Sequence, residues 1–280
     1  MESELLINHK MKNLLISFSG GETSALMAIL LLNMPTYSDY NKVVVYANTG
    51  KENEQTLEFI QKCDKNFNLN VIWIEAKVNS EKGVGTDYNI VNFETADRKG
   101  KVFEDVIKKY GLPSKLYRHC TREMKQVPIK KFAKDYFQNE EFEEAIGIRF
   151  DEQNRVGSKF YPLNDLKVTK EMVNTFWKQQ SFRLELKDYQ GNCDLCFLKS
   201  KRKKLTILSE DPTKAEFWQE MERKYTSEYQ SQFDVINNLS IDELIEASKE
   251  PFRKSIDTRN EQQLFEPELD FEYSCFCSNT

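Results

Sequence analysis

Short apolar runs at residues 14–18, 43–47 and 71–75 alternate with helix-like stretches at 25–33 and 54–66. This β-α-β-α-β rhythm limits the fold more than any other feature, because strands joined by a crossover helix pair in parallel, with a right-handed connection. A fourth strand is expected at 145–148. The fold class is therefore α/β: an open, mostly parallel twisted sheet flanked by helices. After Pro162 the apolar spacing becomes three or four, over 170–179, 199–209 and 212–225, which predicts a helical C-terminal lobe. The division expected is an α/β domain over 1–165 and a helical lobe over 166–280, the latter carrying a C-x-x-C and a cysteine-containing tail. Residues 77–100 are polar, contain Gly83 and Gly85, and read as a long loop able to close over a ligand.

The first strand runs into Ser19-Gly20-Gly21-Glu22-Thr23-Ser24 just before the first helix. Paired glycines let the backbone turn tightly and bring amide N–H groups to a ligand, and hydroxyls at a helix N-terminus add donors where the dipole favours anions. The segment reads as a phosphate cradle; the plainer alternative is a Ser/Thr-capped turn. It lacks the Walker lysine. Open α/β sheets bind ligands outside the carboxyl ends of their strands, and residues 19–24, 48–52 and 149–155 all fall there, so they are expected to line one cleft.

A net charge of −5 argues against a broadly basic nucleic-acid surface while leaving local patches open. No apolar run approaches the roughly 20 residues that cross a bilayer. Residues 1–12 carry Glu2 and Glu4 without the order of a secretory signal, so a cytoplasmic protein is expected. The six cysteines are Cys63, Cys120, Cys193, Cys196, Cys275 and Cys277. In that compartment Cys193-x-x-Cys196 reads as a metal or redox element rather than part of a disulfide framework, and Cys63 as a buried apolar residue. The two histidines, His9 and His119, are too few for a His-rich zinc hydrolase. Arg149, Asp151, Glu152 and Arg155 combine guanidiniums that can clamp phosphate or sulfate with carboxylates that can orient them or bind Mg²⁺. Arg118 and Arg122 flank Cys120 and favour its thiolate. The run Lys199, Lys201, Arg202, Lys203, Lys204 reads as a solvated helix face, or else as phosphate contacts. Trp177 and Trp218 read as core.

The Ser19–Ser24 loop resembles the SGGx(D/T)S loop of the PP-loop ATP pyrophosphatases and of the phosphoadenosine phosphosulfate (PAPS) reductase family. Further segments resemble that family in the same order: Asn48-Thr49-Gly50-Lys51-Glu52, His119-Cys120-Thr121-Arg122-Glu123, Ile146-Gly147-Ile148-Arg149-Phe150-Asp151-Glu152, Tyr161-Pro162-Leu163, and the stretch 191–199 around the C-x-x-C. The layout is most similar to the PAPS-reductase-like proteins common in phages and bacterial mobile elements. The resemblance implies the adenine nucleotide alpha-hydrolase-like fold. It also implies an adenine nucleotide, ATP or PAPS/APS, bound by Ser19, Gly20, Gly21, Thr23, Ser24, Asn48, Thr49, Gly50, Arg122, Arg149 and Arg155.

In the iron–sulfur adenylylsulfate (APS) reductases of this family, a Cys-Cys pair and a later C-x-x-C hold a [4Fe–4S] cluster. The matching residues are Cys120, Cys193 and Cys196, and Thr121 stands where the second cysteine of the pair would be. Cys275 or Cys277 is then the expected fourth ligand; alternatively three cysteines leave one iron open, which resembles the PP-loop tRNA thiolation enzymes. Zinc and metal-free thiols remain alternatives. The reductases carry their nucleophile in a terminal Glu-Cys-Gly-(Ile/Leu)-His, where this chain has Ser274-Cys275-Phe276-Cys277-Ser278. Cys275, Cys277, Arg149 and Asp151 are accordingly the catalytic candidates. Three functions follow: reduction of PAPS or APS with a thiol carrier, ATP-dependent thiolation of a nucleic-acid base, or a non-catalytic nucleotide-binding module in phage infection or defence.

Overall fold

The computed structural model describes residues 11–257 and 259, without 82, 115, 116, 192 and 227–238. Five strands form one sheet: β1 (Lys12–Ser17), β2 (Tyr40–Asn48), β3 (Ile72–Lys77), β4 (Asp87–Val91) and β5 (Phe142–Ile146), in the order β4-β3-β2-β1-β5. β1 pairs in parallel with both β2 and β5, β2 in parallel with β3, and β4 antiparallel to β3. The helices are α1 (Glu22–Asn33), α2 (Glu54–Phe67), α3 (Lys101–Tyr110), the single turn α4 (His119–Thr121), α5 (Val127–Tyr136), the short α6 (Pro162–Asp165), α7 (Lys170–Lys178), α8 (Lys201–Glu210), α9 (Glu216–Tyr225) and α10 (Ile241–Lys249).

β1 is covered on both faces, which is why its sequence is a continuous apolar run rather than an alternation. Leu14 and Ile16 pack with α1, α2 and α7 around Trp177, while Leu15 packs with Val43, Val45 and Ile74 against Ile129, Phe132 and Ala133 of α5. A further apolar cluster joins α3 to α8, α9 and α10 around Trp218, and it takes in Cys120, Cys193 and Cys196. Both tryptophans are core residues, 1% exposed.

Residues 77–100 are not one long loop. They contain β4, whose outer edge is unpaired in the sheet order, and whose composition is polar because only one side of it meets the core. Ile90 on this strand is 63% exposed. The strand expected at 145–148 instead ends at Ile146, since Gly147 turns against the start of α1: a Cβ there would lie 3.2 Å from the Ser24 Cα. The helix expected over 212–225 is divided, with a 3₁₀ turn at Pro212–Ala215 capped by the Asp211 carboxylate before α9 begins. Helix α3 lies in a stretch for which the sequence predicts no element, and the helix expected to start after Cys120 begins at His119 and runs through a π turn into α5.

The two strand positions predict different costs. Ile16→Ala is expected to lose about 2–5 kcal/mol, because it opens a cavity between two packed layers. Ile90→Thr is expected to change stability by less than about 0.5 kcal/mol. Denaturant unfolding of the two variants measures both.

Candidate functional site

β1 delivers Ser19–Ser24 to the carboxyl edge of the sheet, where the loop closes on itself. Ser24 Oγ donates to Gly21 O at 3.0 Å, accepts from Ser19 N at 3.1 Å and lies 2.9 Å from Ser19 Oγ. Gly20 has φ +82°, and a Cβ there would meet Thr56 Cγ2 at 2.7 Å and Ile60 Cδ1 at 3.0 Å, so α2 leaves room only for glycine. At Gly21 a Cβ would have one neighbour, Ser19 Oγ, at 3.9 Å. Gly21 is the N-cap of α1 and offers no side-chain cap. The first N–H groups of α1, which have no partner within a helix, therefore face the loop, as an anion site needs. Ser24 donates to Gly21 O and accepts from Ser19 N and Oγ, so both serines are spent on closing the loop, which leaves the first N–H groups of α1 and Thr23 as its remaining donors.

Glu22 would oppose an anion if its charge were free. It is held instead by Arg183, at 3.0 and 2.9 Å from its two oxygens, and by Leu184 N at 3.2 Å. Trp177 Nε1 fixes the Glu22 carbonyl at 3.0 Å.

The second strand end is built around buried polar groups. Asn48 Nδ2 donates to Glu75 Oε1 at 2.6 Å and to Asp97 O at 2.9 Å, and Asp97 N donates to the same Glu75 oxygen at 2.6 Å. Burial raises the Glu75 carboxyl above its ordinary value, against the opposing pull of those two donors. Asp97 also accepts from Val102 N at 3.0 Å, fixing the start of α3, and it fills the space a Cβ at Gly50 would need. Asn48, Thr49 and Gly50 therefore hold the loop's shape, with Asn48 fully buried.

Beyond them lies a small cavity lined by Thr49, Phe103, Cys120, Lys125, Cys193, Cys196, Phe197 and Trp218. Cys120 thus lines the same cavity as Cys193 and Cys196, although it lies far from them in sequence. Thr49 Oγ1 and Cys193 Sγ share a hydrogen bond of 3.5 Å. The Thr121 hydroxyl, where the missing cysteine would be, is buried without a hydrogen-bond partner among the described residues. Thiols around one cavity suit a thiophilic metal or cluster in kind. Among the described residues, however, no group of three or more His, Cys, Asp and Glu is already spaced to hold a metal ion.

The two loops are joined directly. Glu52 forms a β-bridge with Cys193, Asp194 N donates to Lys51 O at 2.7 Å, and Lys51 Nζ lies 2.8 Å from Asp194 Oδ2, with Asp194 buried and the Lys51 side chain 13% exposed. Trp218 Nε1 donates to the other Asp194 oxygen at 3.0 Å. Lys125, 6% exposed, sits 3.9 Å from Glu52 Oε1 on the cavity wall, placed there by a π-helical turn at Arg122–Gln126. The sequence reading missed Lys125, Glu75, Asp97 and the Asp194 pairing. Only Asp194, inside the C-x-x-C, carried a local signal.

Arg149 reaches the phosphate loop: its Nη1 donates to Thr23 Oγ1 at 3.4 Å and its Nε to Asp151 at 2.9 Å. Arg155 is drawn to Glu152. Arg122 is 68% exposed and pairs with Glu123 at 3.1 Å. The basic run after the C-x-x-C is not a solvated face, because Lys199, Lys203 and Lys204 are buried, and Lys199 donates to Gly191 O. Burial pushes the Cys63 thiol well up, in keeping with an apolar role. Cys275 and Cys277 lie outside the described residues. Among those described, no helix is long and apolar enough to cross a membrane.

Gly20→Ala is expected to destabilise the protein by about 1–3 kcal/mol through strained φ and contact with α2. Gly21→Val is expected to leave stability nearly unchanged while abolishing nucleotide binding. Thermal unfolding beside calorimetry with ATP and PAPS separates the two. Asp194→Asn leaves the largely enclosed Lys51 ammonium without its counter-charge, and a loss of about 3 kcal/mol, the low end for a broken buried pair, is expected in denaturant unfolding.

Comparison with known proteins agrees with this geometry. The family described as Phosphoadenosine phosphosulfate reductase domain matches residues 13–91, from β1 through β4. An uncharacterized nin region protein of Escherichia phage lambda is 32% identical over 196 residues, 67% of this chain and 67% of its own length. Two uncharacterized proteins of Methanocaldococcus jannaschii are 26% identical over 149 residues and 30% identical over 125, covering 53% and 43% of this chain. The chain spans 25% and 22% of those two archaeal proteins. With its phosphate loop, sheet order and similarity to the phage protein in agreement, this chain belongs to the phosphoadenosine phosphosulfate reductase family.

Proposed function

We propose that this protein is an adenine-nucleotide-dependent sulfur enzyme, holding ATP or PAPS/APS at Ser19–Ser24 and handling sulfur at Cys120, Cys193 and Cys196. The observation that carries the reading is the shared wall: the segment from Asn48 to Glu52 touches the thiol cavity through Thr49 and Cys193, and leads into α2, whose Thr56 and Ile60 pack on Gly20. A nucleotide with its phosphates on the loop would lie beside that wall.

In this reading backbone N–H groups of the loop and the start of α1 bind phosphate or sulfate oxygens, and Arg149 adds a guanidinium from the end of β5. Arg183 neutralises Glu22, so the only acid in the loop does not repel the ligand. Cys120, Cys193 and Cys196 would hold a [4Fe–4S] cluster or zinc, with Cys275 or Cys277 as fourth ligand. A bound cluster would supply a sulfur-binding iron or an electrostatic partner for the sulfur being moved. Buried Lys125 places positive charge on the same wall and offsets the negative charge of several thiolates.

Anaerobic purification with a visible spectrum and iron, sulfide and zinc analysis tests the metal assignment. Ser variants of Cys120, Cys193 and Cys196 should each lose most of the metal, whereas Cys63→Ser should keep it. Deletion of residues 274–280 should lower metal content if the tail supplies a ligand, and Thr121→Cys should restore it. Full metal in the Cys120 variant would refute the shared site. Sulfite release from PAPS or APS marks reduction, pyrophosphate release from ATP marks thiolation, and nucleotide binding with no turnover marks a binding module.

A further inference from the structure

Three rings form one column at the outer side of the thiol cavity. Tyr110, the last residue of α3, stacks on His119 with centroids 5.5 Å apart and planes at 25°, and His119 stacks on Tyr117 at 5.9 Å and 9°. Tyr110 packs against the core of the helical lobe, so the column is anchored at one end. Tyr117 is 58% exposed and ends it at solvent. In the single turn α4, His119 joins this column while the next residue, Cys120, is buried and lines the cavity.

The surroundings are basic although the chain as a whole is acidic. Arg122 is 68% exposed, Lys108 is exposed, Arg118 adjoins Tyr117, and the Lys109 ammonium lies 5.3 Å from the Tyr110 ring centroid. The neighbouring carboxylate, Glu123, is buried and bonded to Thr86 and Arg122. A π-face ringed by cations matches a base with phosphates on either side of it.

We infer that the Tyr110–His119–Tyr117 column with Arg118 and Arg122 is a docking platform for an unpaired base of a single-stranded nucleic acid, held next to Cys120 by the α4 turn. This names the acceptor class for the sulfur chemistry proposed above and rests on that reading for its purpose, while the binding itself stands apart from it.

Fluorescence anisotropy of the full chain with labelled single-stranded DNA and RNA oligonucleotides tests the inference, and the two sugars identify which strand is preferred. Tyr117→Ala should weaken binding on the order of tenfold, and Tyr117→Trp should retain it. Arg122→Ala should weaken binding and flatten its dependence on salt. Saturating ATP should leave the oligonucleotide bound, and Gly21→Val should bind it as the parent does, so loss of the nucleotide reading and loss of the platform are told apart. Absence of oligonucleotide binding, equal binding by Tyr117→Ala, displacement by ATP, or equal competition from a duplex would each overturn it.

Discussion

The ion pair between Lys51 and Asp194 is the contact on which the site as a whole depends. It is buried at its Asp194 end and largely enclosed at Lys51, it is reinforced by the Lys51 carbonyl and the Trp218 indole, and it fastens the β2–α2 loop to the C-x-x-C turn. A charge pair so enclosed is stable only while both partners and their hydrogen bonds are present, so it fixes one arrangement instead of permitting several. The Lys51 ammonium also lies 4.7 Å from the Phe217 ring centroid, which ties α9 into the same junction. Through this pair the end of β2 and the C-x-x-C turn share a wall.

Charge management recurs around that junction. Glu22 sits in the phosphate loop itself and is cancelled by Arg183, while Glu52 satisfies the Thr49 N–H and hydroxyl and stands near Lys125. Glu75 stays buried because Asn48 and the Asp97 N–H both donate to one of its oxygens. Each acid is thereby turned into a fixed acceptor. The donors left at the loop are then the first N–H groups of α1, at the helix end that favours negative charge, while Arg149 is paired with Asp151 and Glu152.

Much of the fold was legible along the chain because parallel strands covered on both faces leave dense apolar runs, as in β1 and β2, and because α2 carries its apolar residues on one stripe. β4 escaped notice because an edge strand with one solvated side has neither a run nor a clean alternation; α3 was passed over despite apolar spacing. The lysines after the C-x-x-C misled for a related reason: a charge run is ordinarily solvated, yet Lys203 and Lys204 point into the lobe.

The sequence by itself determined the family, the order of strands and helices up to β3, the phosphate loop, and the identity of the cysteines, since each of these rests on residues adjacent in the chain. Only the tertiary structure decided that Cys120 meets Cys193 and Cys196, that Lys125 lies on their wall, that Gly20 is required by α2 whereas Gly21 is left open, and that Tyr110, Tyr117 and His119 stack. Those facts depend on which helix packs on which. Packing is set by the summed fit of many side chains distant in sequence, a quantity that no local pattern of residues records.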